Sequence, residues 1–199
     1  LGRSARICYS RSESMRASTK RHPSDIRLTV GCDETGRISG FVFDGIFNTG
    51  AYASWGPTVA NRVPIHASGP YVTKDYRANS VAVHTNAPPA GAFRGFGVPQ
   101  SAVAQECAFD LLAEKLGMDR LAFRRLNALK NGVPTVTGQV FNSGVGIDDC
   151  FAALEDSWHA AVTSAASFNQ TAISDDSPWR RGVGIASCWY GCGNTSLPN

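Results

Sequence analysis

The 199 residues carry 19 Lys and Arg against 16 Asp and Glu, a net charge of +3, with 43% hydrophobic and 18% charged side chains. That apolar share and ten Phe supply a core for one ordinary domain or two small ones and exclude a disordered chain. No apolar run reaches the roughly 18 residues of a membrane helix, and no signal-peptide pattern follows Leu1. No membrane partner is expected. Fifteen of the basic residues are Arg, several near the start (Arg3, Arg6, Arg11, Arg16, Arg21). Without an RNA-binding aromatic signature or zinc-finger spacing, they read as a solvated face on strands and turns, with no nucleic-acid partner. The six cysteines form no Cys-x-x-Cys pair, which fits a reducing, cytoplasmic setting and no metal site. Neither end reads as a natural terminus.

In chain order, Asp25 to Gly31 alternates apolar and polar residues as a half-buried strand does. The turn Asp33-Glu34-Thr35-Gly36 leads into a long second strand, Arg37 to Asn48, with a bulge or bend expected near Gly40 or Gly45. Together they form a hairpin. Residues 49–74 are rich in Gly, Pro and Ala, and Pro57 and Pro64 limit any helix around Thr58 to Val63. Ser80 to Thr85 is a further strand. From Ser101 to Leu116, Val103, Cys107, Leu111 and Leu112 recur at helix spacing, opposite Glu106, Asp110, Glu114 and Lys115. The two glutamates read as solvated charges, and Gly117 as the stop. A second helix opens at the N-cap Asp119 and includes Leu121, Phe123, Arg124 and Leu126.

Residues 131–146 read as a connector. A third helix follows from Ile147 to Ala165, with Phe151, Leu154, Trp158 and Val162 on one face. Phe168 to Pro178 looks like loop, and Gly182 to Tyr190 like the opening strand of a further unit. Strands followed by helices argue an α+β fold.

The loop Ala90-Gly91-Ala92-Phe93-Arg94-Gly95-Phe96-Gly97 carries the candidate chemistry. Its glycines open backbone conformations closed to other residues and allow close approach to a ligand. Arg94 offers a fixed fork of donors to an anion, and Phe96 a flat face to a ring. The same residues also suit a tight turn with two core Phe and an outward ion pair. The four histidines do not cluster, and none has the spacing of a metal ligand.

Ala92-Phe93-Arg94-Gly95-Phe96-Gly97-Val98-Pro99-Gln100 resembles the signature of the xanthine dehydrogenase/aldehyde oxidase family of molybdenum hydroxylases. Arg21-His22-Pro23, Leu121 to Asn127 and Arg181-Gly182-Val183-Gly184-Ile185 are similar to flanking family segments. The resemblance therefore implies an internal fragment of the molybdenum subunit. Residues 1–135 would belong to a first molybdopterin-binding domain, and 136–199 to a connector and the start of a second.

The implied reaction is oxidative hydroxylation of N-heterocycles or aldehydes with water as oxygen source. It implies a molybdenum–molybdopterin cofactor, with iron–sulfur clusters and FAD in other domains or subunits. Phe93, Arg94 and Gly95 match the cofactor-contacting stretch, Phe96 the aromatic that packs on substrate, and Arg62 an arginine that hydrogen-bonds it and stabilises the charged transition state. A salt bridge is the competing account of Arg62. Asn194 stands where the family carries a second aromatic, which argues against xanthine itself, and Thr195 keeps a pocket-lining role. The family's catalytic glutamate would lie beyond Asn199, which leaves this fragment inactive alone. A split or non-catalytic binding module of the same fold is the alternative.

Overall fold

The computed structural model describes residues 2–191. Where strands and turns were expected, a short helix forms, α1 (Arg11–Ala17). Its capping box accounts for it: Ser10 Oγ accepts from the Glu13 amide, and the Glu13 carboxylate accepts from the Ser10 amide.

β1 (Ser24–Cys32) and β2 (Ile38–Gly50) form the antiparallel hairpin. Asp33 makes its turn by accepting from the Thr35 and Arg37 amides at 2.9 and 3.0 Å. Gly31 pairs with Gly40 but Cys32 with Ile38, so the extra residue is Ser39, beside Gly40. Gly45 stays in regular register with Ile26, and a Cβ there would lie 2.7 Å from the Phe47 ring and 2.9 Å from that of Phe43. It makes room for two core rings and no bend.

β3 (Asp75–His84) starts five residues ahead of the expected Ser80 and runs parallel to β2, giving the order β1-β2-β3. A parallel pair needs a crossover, which α2 (Gly56–His66) provides. A β-α-β unit is thus embedded in an α+β chain. Pro64 lies inside α2 without ending it. Lacking an N–H, it frees the carbonyl of Ala60, and the Ser80 hydroxyl of β3 donates to that oxygen at 2.6 Å. The Tyr76 hydroxyl, also from β3, donates to the Pro64 carbonyl. The break in the helix becomes its attachment to the sheet.

α2 packs on β3, and α3 (Val98–Lys115) packs on β1. Phe41, Phe43, Phe47, Val63, Phe109 and Phe123 form the shared core. α3 is rotated from the orientation its apolar spacing suggests, although Leu112 still packs on the core and Glu114 and Lys115 stay exposed. Ser101, Gln105, Glu106, Phe109 and Ala113 are buried, whereas Val103 and Leu111 are 67% and 66% exposed and Cys107 is exposed.

Glu106 is no solvated charge. It is 6% exposed and meets the fully buried Arg124 of α4 (Arg120–Asn127), whose Nε donates to Glu106 Oε2 at 2.7 Å. Arg124 Nη2 reaches Asp110 at 2.8 Å. The Tyr71 hydroxyl donates to Glu106 Oε1 at 2.9 Å; burial and the adjacent carboxylate push that phenol far above its usual range.

α5 (Ile147–Ser174) extends nine residues past the expected end. Propagation adds a hydrogen bond per residue once the nucleus exists, and Asn169 in the added stretch ties to the returning chain through the Arg181 backbone at 2.7 and 2.9 Å. Phe151, Trp158, Ala165 and Ala172 are buried at every seventh position, while Leu154 and Val162 face outward. Residues 182–190 form no strand, because they pair with no neighbouring backbone ladder. They cross the body as an irregular strap instead, with Val183 and Ile185 against the core.

Candidate functional site

The motif loop lies between β3 and α3 and is built on a left-handed backbone run. Gly95, Phe96 and Gly97 have φ of +88°, +45° and +94°. For Phe96 this conformation costs about 1–2 kcal/mol. A Cβ on Gly97 would meet Val63 Cγ2 of α2 at 2.5 Å, so the loop is pressed against that helix. The Phe96 amide closes a turn on the Phe93 carbonyl at 2.8 Å. Among the described residues the Arg94 and Gly95 amides have no such partner, and the Arg94 and Phe93 side chains are exposed.

Arg21, expected on a solvated face, braces this loop. Its guanidinium donates to the Arg94 carbonyl at 2.6 Å and to Gln100 Oε1 at 3.3 Å, and lies 4.8 Å from the centre of the Phe93 ring. Gln100 in turn donates to the His22 carbonyl at 3.2 Å.

Arg62 and Phe96 come together. Arg62 of α2 is 5% exposed, and its guanidinium carbon lies 5.7 Å from the Phe96 ring centre and 4.8 Å from that of Tyr190. Its Nη2 donates to the Gly191 carbonyl at 3.0 Å. One turn on, His66 shares the same face. Arg62, Ile65 and His66, with Trp189, Tyr190 and Gly191 of the strap and Thr137, Gln139 and Phe141 of the connector, line a cleft of about 380 Å³. Trp55 meets the Phe96 ring edge to face at 6.4 Å.

The expected residues thus fall into two neighbouring groups. Phe93, Arg94 and Gly95 form the outer side of the loop with Arg21, and Phe96 turns inward to Arg62. Asn194 and Thr195 lie outside the described residues. Histidine spacing carried no signal in the sequence, yet His66 belongs to the cleft; its position four residues after Arg62 on one helix face was the available clue.

The profile of the molybdopterin cofactor-binding domain matches residues 1–128. The chain belongs to that family. Within it, the nicotinate dehydrogenase large molybdopterin subunit of Eubacterium barkeri is 43% identical over 142 residues, covering 71% of this chain and 33% of the relative. An aldehyde oxidoreductase of Megalodesulfovibrio gigas is 31% identical over 195 residues, covering 96% of this chain and 20% of that protein. The solved aldehyde oxidoreductase from Desulfovibrio gigas superposes with a TM-score of 0.76 at 30% identity, over 80% of this chain and 17% of its own. The chain therefore spans a third or less of the length of these relatives. No described helix is long and apolar enough to cross a membrane.

Proposed function

We propose that this chain is the part of a molybdenum hydroxylase that grips the cofactor and orients a planar substrate, an N-heterocycle or aldehyde. One observation carries the reading: a strained glycine-flanked loop offers two amides without a partner among the described residues and an exposed guanidinium on one side, and an aromatic ring beside Arg62 on the other. The donors fit an anionic pterin group, since Arg94 and the Arg94 and Gly95 amides supply N–H groups with no competing acceptor among the described residues. Phe93, Arg94 and Gly95 would hold that group. When bound, molybdenum–molybdopterin supplies two-electron oxidation and delivers an oxygen atom derived from water.

The remaining work falls to this chain's side chains. Phe96 presents its ring to a planar substrate, and Tyr190 stacks on His66. Arg62, fixed between the Phe96 and Tyr190 rings, pairs with a carboxylate or stabilises negative charge that builds on a heterocycle during attack, a contribution that grows toward the transition state. A carboxylated N-heterocycle such as nicotinate suits a buried arginine, in keeping with the nicotinate dehydrogenase relative.

Residues 1–135 form the first molybdopterin-binding unit in this reading, and 136–199 lead into a second. The working protein adds the remaining molybdenum-subunit segments with the catalytic glutamate, together with iron–sulfur and FAD domains or subunits, in the cytoplasm. Molybdenum and pterin content of the intact protein tests the assignment. Arg94→Ala is expected to retain about tenfold less cofactor on dilution, while Phe96→Ala keeps the cofactor and weakens nicotinate binding. Equal retention in wild type and Arg94→Ala removes Arg94 from the cofactor site.

A further inference from the structure

The strap meets α2 at two side chains, Arg62 and His66. The Gly191 amide donates to His66 Nε2 at 3.0 Å, and the Trp189 indole donates to the His66 carbonyl at 3.1 Å. The His66 ring stacks on Tyr190 at 5.6 Å and meets Trp189 edge to face at 6.0 Å. Its other nitrogen, Nδ1, lies 3.1 Å from the Arg62 carbonyl. A carbonyl only accepts, so Nδ1 bears the proton and Nε2 is the acceptor. Both ring nitrogens are committed, and the imidazole is neutral. The strap so held places the Gly191 carbonyl and the Tyr190 ring against the Arg62 guanidinium.

We propose that His66 is a positioning residue that latches the 189–191 strap to α2 and thereby fixes the Arg62 guanidinium between the Phe96 and Tyr190 rings. The proposal rests on the reading of Arg62 as the substrate-facing cation. Protonation undoes the latch: Nε2 can no longer accept the Gly191 N–H, and a second positive charge appears beside Arg62. Among the described residues, Arg62 is the charged group facing the ring. Tyr190 and Trp189 from the strap, and Thr137, Gln139 and Phe141 from the connector, bring no charge to the cleft. Burial already holds the imidazole below its usual value; the hydrogen bond to the Arg62 carbonyl opposes that shift and the Arg62 charge adds to it. The latch is therefore closed at neutral pH and opens on acidification.

The test compares the intact molybdenum-containing protein with His66→Phe and His66→Gln. Phenylalanine keeps a ring against Tyr190 and Trp189 but has no acceptor, whereas glutamine restores an acceptor oxygen. Hydrogen exchange in peptides covering 187–191 reads the latch, and equilibrium binding of nicotinate reads Arg62. In His66→Phe, exchange at Gly191 is expected to rise and nicotinate affinity to fall, each about tenfold, with His66→Gln near wild type in both.

Lowering the pH from about 7.5 to about 5.5, where the nicotinate carboxylate stays ionised, should reproduce the loss in wild type and leave His66→Gln flat. That comparison decides even if the phenylalanine variant does not fold. Unchanged exchange in His66→Phe, or a wild type and His66→Gln with the same pH profile, overturns the latch. Raised exchange with unchanged nicotinate affinity overturns the positioning role, provided Arg62→Met does weaken binding. If Arg62→Met binds nicotinate as wild type does, the substrate reading of Arg62 fails, and the latch stands or falls on exchange alone.

Discussion

Arg124 is the largest side chain that the core encloses completely, and Glu106 with Asp110 is what makes that tolerable. Removing one partner of a buried ion pair leaves a charge without compensation. Glu106→Gln is expected to lower unfolding free energy by about 3 kcal/mol, Asp110 retaining part of the pairing. Glu114→Gln, on the exposed side of α3, should stay within about 0.5 kcal/mol. Urea unfolding separates the two, and equal effects would contradict the buried network. His22 and His66 add an acid sensitivity of their own. Both are buried, and burial lowers both below the usual histidine value. Below about pH 6.5 the unfolded chain therefore takes up protons that the fold refuses. Their contribution to stability is complete above that pH and is lost as pH falls toward the folded values. Denaturation midpoints should hold level from about pH 8 to 7 and decline from about 6.5 to 5, less steeply in His22→Leu.

Elements show where sequence pattern and packing part company. The hairpin was legible because alternation, an Asp-initiated turn and Phe spacing all point one way, and α4 was legible from its cap, since Asp119 accepts from the Ala122 amide as an N-cap should. For α3, helical spacing located the element but misjudged its face. Val103, Cys107 and Leu111 form the more apolar stripe, yet Phe109 packs on Tyr71 and Phe123 and Glu106 meets Arg124, and those long-range partners decide the rotation. In α2, Pro64 suggested an end that the structure does not have, because the orphaned Ala60 carbonyl finds Ser80. Ser80→Ala should cost about 1–2 kcal/mol, the penalty of a carbonyl left without a donor, measurable by thermal or urea unfolding. A cost no larger than that of an exposed serine substitution would mean that α2 tolerates Pro64 without help from β3.

Across the whole molecule, the last described segment ties distant parts together without forming regular structure. Ser187 donates to Tyr71 at 2.7 Å and to Glu106 at 3.2 Å, Val183 and Ile185 lie on the core, and Trp189 and Gly191 hold His66. Ser187→Ala should cost about 1 kcal/mol and raise hydrogen exchange in residues 182–191 selectively; uniform loosening of the fold would mean that the strap is not a separate unit. The sequence by itself determined the α+β class, the hairpin, the presence of α3 and α4 and the motif loop with its family, since each depends on periodicity, capping or a contiguous signature. Only the tertiary structure decided which face of α3 turns inward, that β2 and β3 run parallel, that Arg21 braces the loop and that the strap closes on His66 and Arg62. Those outcomes depend on partners between 18 and 125 residues away along the chain, and local pattern holds no information about which distant group will supply a missing donor or charge.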